Sequence, residues 1–187
     1  MSELKIAIIL GSTRPNRNGE SVAKWMLHKA STRSDASYEL IDLRDHPLPH
    51  MDEPLPPSVG QYAGEHTKAW AAKIASYDGF IFVTPEYNHS TSAVLKNAID
   101  YLYAEWANKA AAFVGYGSLG GARAIEQLRT VCSELQLAHV RQTLTFSLFT
   151  DFENFSVFTP AAVHDAAADT MLHQLESWTR AMKGVRA

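Results

Sequence analysis

The amino-acid sequence predicts an open, doubly wound α/β fold built on a five-stranded parallel sheet with helices on both faces. Apolar runs alternate with segments of helical length and spacing along the whole chain. Two of these runs, residues 79–84 and 110–116, are apolar at consecutive positions, as expected of parallel strands covered on both faces. Alternation of strands and helices implies right-handed crossovers. The length of 187 residues fits a single domain over residues 1–187.

Five short runs are the predicted strands. The first enters an apolar stretch without a basic region or a small-residue cleavage site, so it is a strand and not a signal peptide. The last alternates, with Leu144, Phe146 and Leu148 on one side, which is typical of an edge strand. The predicted strands are residues 5–10, 38–43, 79–84, 110–116 and 140–146.

Five segments with helical spacing follow the strands. The predicted helices are residues 20–33, 58–77, 93–105, 120–137 and 163–183. The third, continued to Trp106, is apolar beyond one stripe, which indicates a second partner besides its own sheet. The stretch 44–57 carries five prolines and is predicted to be an extended loop, not a domain boundary.

Composition argues against several classes of protein. A net charge of -3 and the lack of a basic run give no reason to expect a nucleic-acid partner. No segment approaches the ~20 apolar residues that cross a bilayer. The single cysteine, Cys132, allows no intramolecular disulfide, and the histidines lack metal-ligand spacing, so no metal site is expected. We expect a cytoplasmic protein without a membrane anchor.

The loop after strand one, residues 11–21, has the composition of an anion site. Hydroxyl groups at Ser12, Thr13 and Ser21, two arginines and the first N–H groups of a helix suit a phosphate. Glu20 stands where a triphosphate loop needs lysine, and residue 13 is not the glycine of a dinucleotide fingerprint. The alternative is a capped helix start with solvated arginines.

The loop after strand four, residues 115–123, matches G-x-G-x-x-G literally. A dinucleotide fingerprint would lie after strand one and would need an acidic residue at the end of the next strand, where this chain has none. We interpret this loop as one whose backbone amides can approach a flat ring closely, because it is rich in glycine. The residues concerned are Gly117, Ser118, Gly120 and Gly121. The alternative is a tight turn and nothing more.

The loop after strand three begins Pro85-Glu86-Tyr87-Asn88. Proline is expected to end the ladder hydrogen bonds, which would leave the following amides for the edge of a polar heterocycle, with Tyr87 offering a stacking face. The alternative is that Asn88 caps the next helix and Tyr87 packs on the core. One ligand, flavin mononucleotide (FMN), explains all three loops, because it joins a phosphate to a planar ring with hydrogen-bonding edges.

Three motifs resemble the NADPH-dependent FMN reductase family of flavodoxin-like proteins, which includes quinone, azo-dye and chromate reductases. They are Gly11-Ser12-x-Arg14, then Pro85-Glu86-Tyr87-Asn88-His89 with Leu95-Lys96-Asn97-Ala98-Ile99-Asp100, and Tyr116-Gly117-x-x-Gly120-Gly121-x-Arg123. The likeness spans about residues 4–145. The sequence departs from it at Thr91-Ser92, where many relatives have an aromatic residue and proline. The resemblance implies a sheet in the order 2-1-3-4-5.

The resemblance also implies site residues. The phosphate would be held by Ser12, Arg14 and the segment Asn18, Gly19, Glu20 and Ser21, with Arg17 less certain because the loop could place it in solvent. The isoalloxazine edge and face would be lined by Pro85, Glu86, Tyr87 and Asn88. The pyrimidine end would contact Gly117, Ser118, Gly120 and Gly121. Relatives are typically homodimers or homotetramers, and the apolar third helix agrees with this.

The implied activity is a ping-pong transfer of hydride from NADPH or NADH to FMN, and then of electrons to a small-molecule acceptor such as free flavin, a quinone or an azo compound. No catalytic side chain is predicted, and Arg123 is a candidate for a 2′-phosphate contact. The alternatives are a non-enzymatic flavodoxin-type electron carrier and a flavin-free protein that binds another phosphorylated ligand. FMN could also be a diffusible substrate handed to a partner monooxygenase. The phenylalanines of residues 146–158 are expected to pack irregularly or to form a subunit contact.

Overall fold

A computed structural model describes residues 3–186 of the chain. Its main sheet has five parallel strands in the order β2-β1-β3-β4-β5, which confirms the predicted flavodoxin-like order. The strands are β1 (Leu4–Leu10), β2 (Ala36–Asp42), β3 (Gly79–Pro85), β4 (Ala110–Gly117) and β5 (Ala138–Ser147). β3 and β4 are buried at every position, which explains their consecutive apolar residues, and β5 lies at an edge as predicted.

The helices cover both faces of this sheet. They are α1 (Gly19–Ser31), α2 (Glu65–Ala75), α3 (Ala93–Asp100), α4 (Ala122–Glu134) and α5 (Val163–Val185). One apolar core joins α1 and α5 to the sheet, and a second core on the opposite face joins α2, α3 and α4 to it. Each strand therefore buries alternate side chains in different cores, and the ends of the strands stay available for loops. No helix within residues 3–186 is long and apolar enough to cross a membrane.

The third helix is shorter than predicted, because α3 ends at Asp100 and turns follow it. Tyr101, Leu102 and Trp106 lie in these turns and are buried in the core of the same chain. The indole of Trp106 donates to the carbonyl of Ile99 at 3.0 Å. These apolar residues therefore have an intramolecular reason, and a second partner for this helix stays a prediction.

The second and fourth helices also begin later than predicted. α2 starts at Glu65, after a short 3-10 turn at Pro57–Val59, and α4 starts at Ala122. The Glu53 carboxylate accepts hydrogen bonds from the amides of Ala63 (2.7 Å) and Gly64 (2.9 Å). These bonds hold the residues just before α2 in a non-helical conformation. The proline-rich stretch is an extended loop as predicted, and the Tyr101 hydroxyl holds it by donating to the carbonyl of Pro49 at 3.1 Å.

The phenylalanine-rich segment after β5 contains a small antiparallel hairpin, β6 (Phe152–Glu153) and β7 (Val157–Phe158), instead of a wholly irregular chain. Phe146 and Phe152 are buried, and their rings lie 4.9 and 5.0 Å from that of Phe158. Phe149 and Phe155 are exposed and contact each other. Three of the five rings thus anchor the hairpin on the core, and two face solvent.

Candidate functional site

The β1–α1 loop lies at the carboxyl end of β1, next to the point where the strand order reverses between β1 and β3. Ser12 is buried, and its hydroxyl lies 3.1 Å from that of Tyr87 in the loop after β3. Arg14 is exposed on the rim of a cleft. The side-chain amide of Asn18 donates to the carbonyl of Phe155 at 2.7 Å. The loop therefore contacts two of its neighbours at this end of the sheet.

Three predicted phosphate residues have partners in the protein. The Ser21 hydroxyl donates to the carbonyl of Asn18 at 2.8 Å. The Glu20 carboxylate pairs with Lys24 at 2.7 Å on the exposed side of α1, and this contact lowers the pKa of Glu20. Its other oxygen lies 3.7 Å from the Arg17 guanidinium, so Glu20 bridges two cations in the first turn of α1, where a negative charge also favours the helix dipole.

Arg17 is buried, so the expectation of solvated arginines is wrong for this residue. Its guanidinium pairs with the Asp42 carboxylate, with one N–O distance of 2.8 Å, and donates to the carbonyl of Ser12. Burial acts to raise the pKa of Asp42, but the hydrogen bond from Arg17 and the nearby positive charges outweigh it and lower this pKa. Direct contact of Arg17 with a cofactor stays a prediction, and this pairing argues against it.

A buried hydroxyl group without a partner lies against the same loop. Tyr116 is 6% exposed, and its hydroxyl oxygen has no hydrogen-bond partner among residues 3–186. A Cβ atom at Gly19 would lie 2.4 Å from that oxygen, so only glycine permits this approach. Burial of a polar atom without a hydrogen bond is costly, which makes this oxygen a candidate ligand contact.

The loop after β3 differs from the sequence prediction. β3 continues through Pro85, and the Glu86 amide donates to the carbonyl of Tyr116 at 3.2 Å, so proline does not end the ladder here. Tyr87 and Ser90 exchange two backbone hydrogen bonds around Asn88 and His89, which both have positive φ. The amides of Glu86 and Tyr87 are therefore not free. Asn88 does not cap the next helix either.

Thr91 and Ser92, which depart from the family pattern, connect this loop to its neighbours. The Ser92 hydroxyl accepts from the amide of Leu95 at 3.2 Å and caps α3. The same hydroxyl donates to the carbonyl of Gly11. The Thr91 hydroxyl lies 2.8 Å from that of Thr84 in β3. These two residues join β3, α3 and the β1–α1 loop into one unit.

Glu86 and Arg123 form a clamp between the loops after β3 and β4. The buried Glu86 side chain accepts from the Arg123 amide at 3.1 Å and from its guanidinium at 2.5 Å. The guanidinium also lies 2.7 Å from Nε2 of His89. His89 is therefore a hydrogen-bonded turn residue. Arg123, the candidate for a 2′-phosphate contact, is engaged by its own chain.

The glycines of the β4–α4 loop pack against the protein's own backbone. A Cβ atom at Gly115 would lie 2.6 Å from the carbonyl oxygen of Gly120, and one at Gly121 would lie 2.7 Å from the Cα of Gly115. Gly121 also has a φ of 79°. The alternative explanation of a tight turn accounts for these glycines. Contact of a flavin ring with Gly117, the exposed Ser118, Gly120 and Gly121 stays a prediction.

A cleft of ≈ 240 Å³ lies between the loops after β1 and β3. Its lining residues are Ser12, Thr13, Arg14, Tyr87, Ser92, Ala93 and Val94. No sequence motif indicates the polar residues that support this cleft, namely Ser92, Asp42 and Arg44. Asp42 could have been found, since it is an acidic residue at the carboxyl end of a predicted parallel strand.

This topology, with a cleft beside the loop after β1, defines a flavodoxin-like α/β protein. The model of the family described as NADPH-dependent FMN reductase matches residues 4–151. The chain belongs to this family, and it is an NAD(P)H-dependent oxidoreductase with FMN as its flavin.

Similar proteins agree with this assignment. An NAD(P)H-dependent FMN reductase of Schizosaccharomyces pombe is 44% identical over 135 residues, which cover 71% of this chain and 68% of the relative. A 2-hydroxy-1,4-benzoquinone reductase of a Burkholderia species is 34% identical over 146 residues, with coverage of 74% and 75%. The structure of FerB, an NAD(P)H:acceptor oxidoreductase of Paracoccus denitrificans, superposes with a TM-score of 0.73 at 21% identity, over 96% of this chain and 98% of FerB.

The residues of the cleft fit the phosphate end of FMN. The exposed Arg14 supplies positive charge, and the first turn of α1 supplies hydrogen-bond donors, while the buried Tyr116 hydroxyl lies behind Gly19 and does not line the cleft. Among residues 3–186, no hydrogen bond occupies the amides of Ser12, Thr13 and Arg14. A dianion placed there would satisfy groups that the protein itself leaves unpaired.

Proposed function

We propose that this chain reduces quinones with NAD(P)H through FMN bound across the carboxyl ends of β1, β3 and β4. The Burkholderia relative, whose name gives a benzoquinone as its substrate, supports the class of acceptor. The single observation that carries the flavin site is the set of unpaired donors at the β1–α1 loop, namely the amides of Ser12, Thr13 and Arg14, whose residues line the cleft.

At the phosphate end, Ser12, Arg14 and the Asn18–Ser21 turn hold the anion. The amides of the loop donate hydrogen bonds, the Arg14 guanidinium adds positive charge, and the amino end of α1 contributes its dipole. The Tyr116 hydroxyl, enclosed behind Gly19, donates one further hydrogen bond. This donor set favours a phosphorylated flavin over riboflavin.

At the ring end, the Tyr87 side chain is fixed beside the cleft because its hydroxyl bonds that of Ser12. Pro85 and Glu86 are held by the β4 ladder, and the Glu86–Arg123 clamp fixes the Asn88 turn. Gly117, Ser118, Gly120 and Gly121 form the facing wall. These contacts are made before a ligand arrives, so binding requires little reordering of the loops.

When bound, FMN accepts hydride from NAD(P)H and passes electrons to the acceptor. The chain's own residues bind the flavin, orient it and leave one side open to the two substrates in turn. Neither nucleophile nor obligatory acid is assigned to a side chain, because hydride and electron transfer at a flavin need none.

The same proposal includes a homodimer or homotetramer acting in the cytoplasm. The exposed pair Phe149 and Phe155 supports a subunit contact, since large apolar side chains are seldom paired on a free surface. A monooxygenase that accepts reduced flavin is the alternative electron acceptor if FMN dissociates during turnover.

The test is an absorbance titration of the purified protein with FMN, followed by anaerobic addition of NADPH or NADH and then of 1,4-benzoquinone. We expect flavin bands that stay with the protein, bleach with the reductant and return with the quinone. A flavin that binds but bleaches with neither nucleotide would identify an electron carrier. Bands that do not stay with the protein, with reduction of free FMN, would identify FMN as a diffusible substrate.

Tyr116→Phe tests the phosphate end. Removal of a buried, unpaired hydroxyl is expected to raise the unfolding free energy of the flavin-free protein by about 1 kcal/mol and to weaken FMN binding about five- to tenfold. Urea unfolding and fluorescence titration measure the two effects. Unchanged FMN affinity would remove this hydroxyl from the site.

A further inference from the structure

Three side chains, one from the β1–α1 loop itself and two from neighbouring segments, hold four consecutive carbonyl oxygens of that loop. The acceptors are the carbonyls of Gly11, Ser12, Thr13 and Arg14, and the donors are Ser92 for the first, Arg17 for the second and Arg44 for the last two. The Arg44 distances are 3.2 Å to Thr13 and 2.6 Å to Arg14. Such a run of side-chain donors fixes the orientation of each peptide plane.

Asp42, the last residue of β2, connects the two arginines. Its carboxylate pairs with the buried Arg17 guanidinium and accepts the backbone amide of Arg44 at 2.9 Å. Asp42 lies beside the loop because β2 is parallel to β1, with Leu10 opposite Asp42 in the register. One carboxylate therefore holds the Arg17 guanidinium directly and fixes the backbone from which the Arg44 side chain reaches the loop.

Peptide planarity turns these contacts into a binding device. In a trans peptide, the carbonyl of one residue and the N–H of the next point in opposite directions. Because the carbonyls of Gly11, Ser12 and Thr13 point at side-chain donors, the N–H groups of Ser12, Thr13 and Arg14 point away from those donors. In the described part of the chain these three amides have no hydrogen-bond partner, and their residues line the cleft. Successive amides exposed in this way form an anion-binding concavity.

We propose that Asp42, acting through Arg17 and Arg44, is the positioning residue that presents these amides to the FMN phosphate and makes the enzyme select FMN over riboflavin. The inference rests on the proposed flavin site and concerns residues that do not themselves contact the cofactor. Loss of the carboxylate releases the Arg17 guanidinium and the backbone amide of Arg44, so the peptide planes can rotate and the amides no longer converge.

Asp42→Asn distinguishes a positioning role of Asp42 from a purely electrostatic one, because the two roles change FMN affinity in opposite directions. The substitution removes a negative charge near the phosphate, so electrostatics alone would tighten FMN binding. Positioning predicts the opposite, because the neutral asparagine side chain has one acceptor oxygen and cannot pair with two nitrogens of the Arg17 guanidinium as a carboxylate does. We expect the Kd for FMN to rise about tenfold or more, and the Kd for riboflavin to change less than about twofold.

The measurement is fluorescence titration of the full-length protein with FMN and with riboflavin. Glu176→Gln is the matched control, since it breaks another arginine–carboxylate pair, with Arg33, between the end of α1 and α5. This control is expected to leave the ratio of the two dissociation constants unchanged. Arg44→Met, at an exposed position, is a second variant that keeps Asp42 and Arg17, and it is expected to weaken FMN more than riboflavin.

Three outcomes would overturn the inference. Asp42→Asn could bind FMN as tightly as the unaltered protein or more tightly, or it could lose FMN and riboflavin to the same extent. The unaltered protein could also fail to discriminate between the two flavins, and then the proposed phosphate site itself is wrong. Selective loss of FMN in both loop variants, with a normal ratio in Glu176→Gln, supports the inference.

Discussion

The loops after β1 and β4 lie at the same end of the sheet and are fixed in different ways. In the first, charged and hydroxyl side chains hold the backbone carbonyls, with Asp42 and two arginines at the centre. In the second, the absence of side chains lets backbone pack on backbone, as the contacts of Gly115 with Gly120 and Gly121 show. The first loop is held by polar contacts, and the glycine turn of the second is held by steric fit, with the Glu86–Arg123 clamp at its far end.

The difference predicts how each loop fails. A loop held by close backbone packing tolerates no partial change, because an added methyl group either fits or displaces the backbone. A polar arrangement weakens by steps as charges are neutralised or partners removed, and part of it responds to pH. The glycine loop should therefore control the stability of the fold, and the arginine-held loop should control affinity for the ligand.

The largest effect is expected from Gly121→Ala. The new Cβ would lie 2.7 Å from backbone atoms of Gly115 and Tyr116, at a φ of 79° that alanine rarely adopts. We expect the unfolding free energy to fall by about 3 kcal/mol or more, measured by urea denaturation. Gly184→Ala in α5 is the control, because nothing lies within 4 Å of its added methyl group. Equal stabilities of the two variants would contradict the steric account.

Arg17→Met is expected to have a smaller effect, a loss of about 2 kcal/mol. The side chain is 2% exposed, and its removal leaves the Ser12 carbonyl and the Asp42 carboxylate without their donor. Asp42 is partly exposed, so water replaces part of the lost contact and limits the cost. Lys24→Met makes a similar change at an exposed position and should alter stability by less than about 0.5 kcal/mol. A loss as small as that of the control would show that the pair adds no stability.

Acid is the mildest perturbation of the polar loop. The pKa of Asp42 is lowered in the folded protein, so its contribution to stability is present above the unfolded-state pKa and is lost as pH falls through the folded-state pKa. Urea unfolding of the original protein and of Asp42→Asn between about pH 7 and pH 3 isolates this carboxyl from the other acids. We expect the difference in stability between them to narrow as the pH falls. A difference that stays constant would show that the Asp42 pair is not the source.

Much of the fold could be predicted from local pattern. The apolar runs became the strands, since burial on both faces demands apolar side chains at consecutive positions. The end of α3 could not be found this way, because Tyr101 and Trp106 are apolar for reasons of tertiary packing and not of helical periodicity. The prediction that Pro85 ends the ladder of β3 was wrong, because it considered only the missing N–H of proline. The next amide, that of Glu86, still donates to the neighbouring strand.

The sequence by itself determined the sheet, its order through the family resemblance, and the three loops that meet at its carboxyl end. It also supplied the motifs that identify the family, because these are contiguous along the chain. Only the tertiary structure decided that Arg17 is buried, that Arg123 is engaged by Glu86, and that Asp42 supports the β1–α1 loop. These pairs join residues far apart in sequence that parallel strands bring side by side, and no local pattern encodes which charge will meet which.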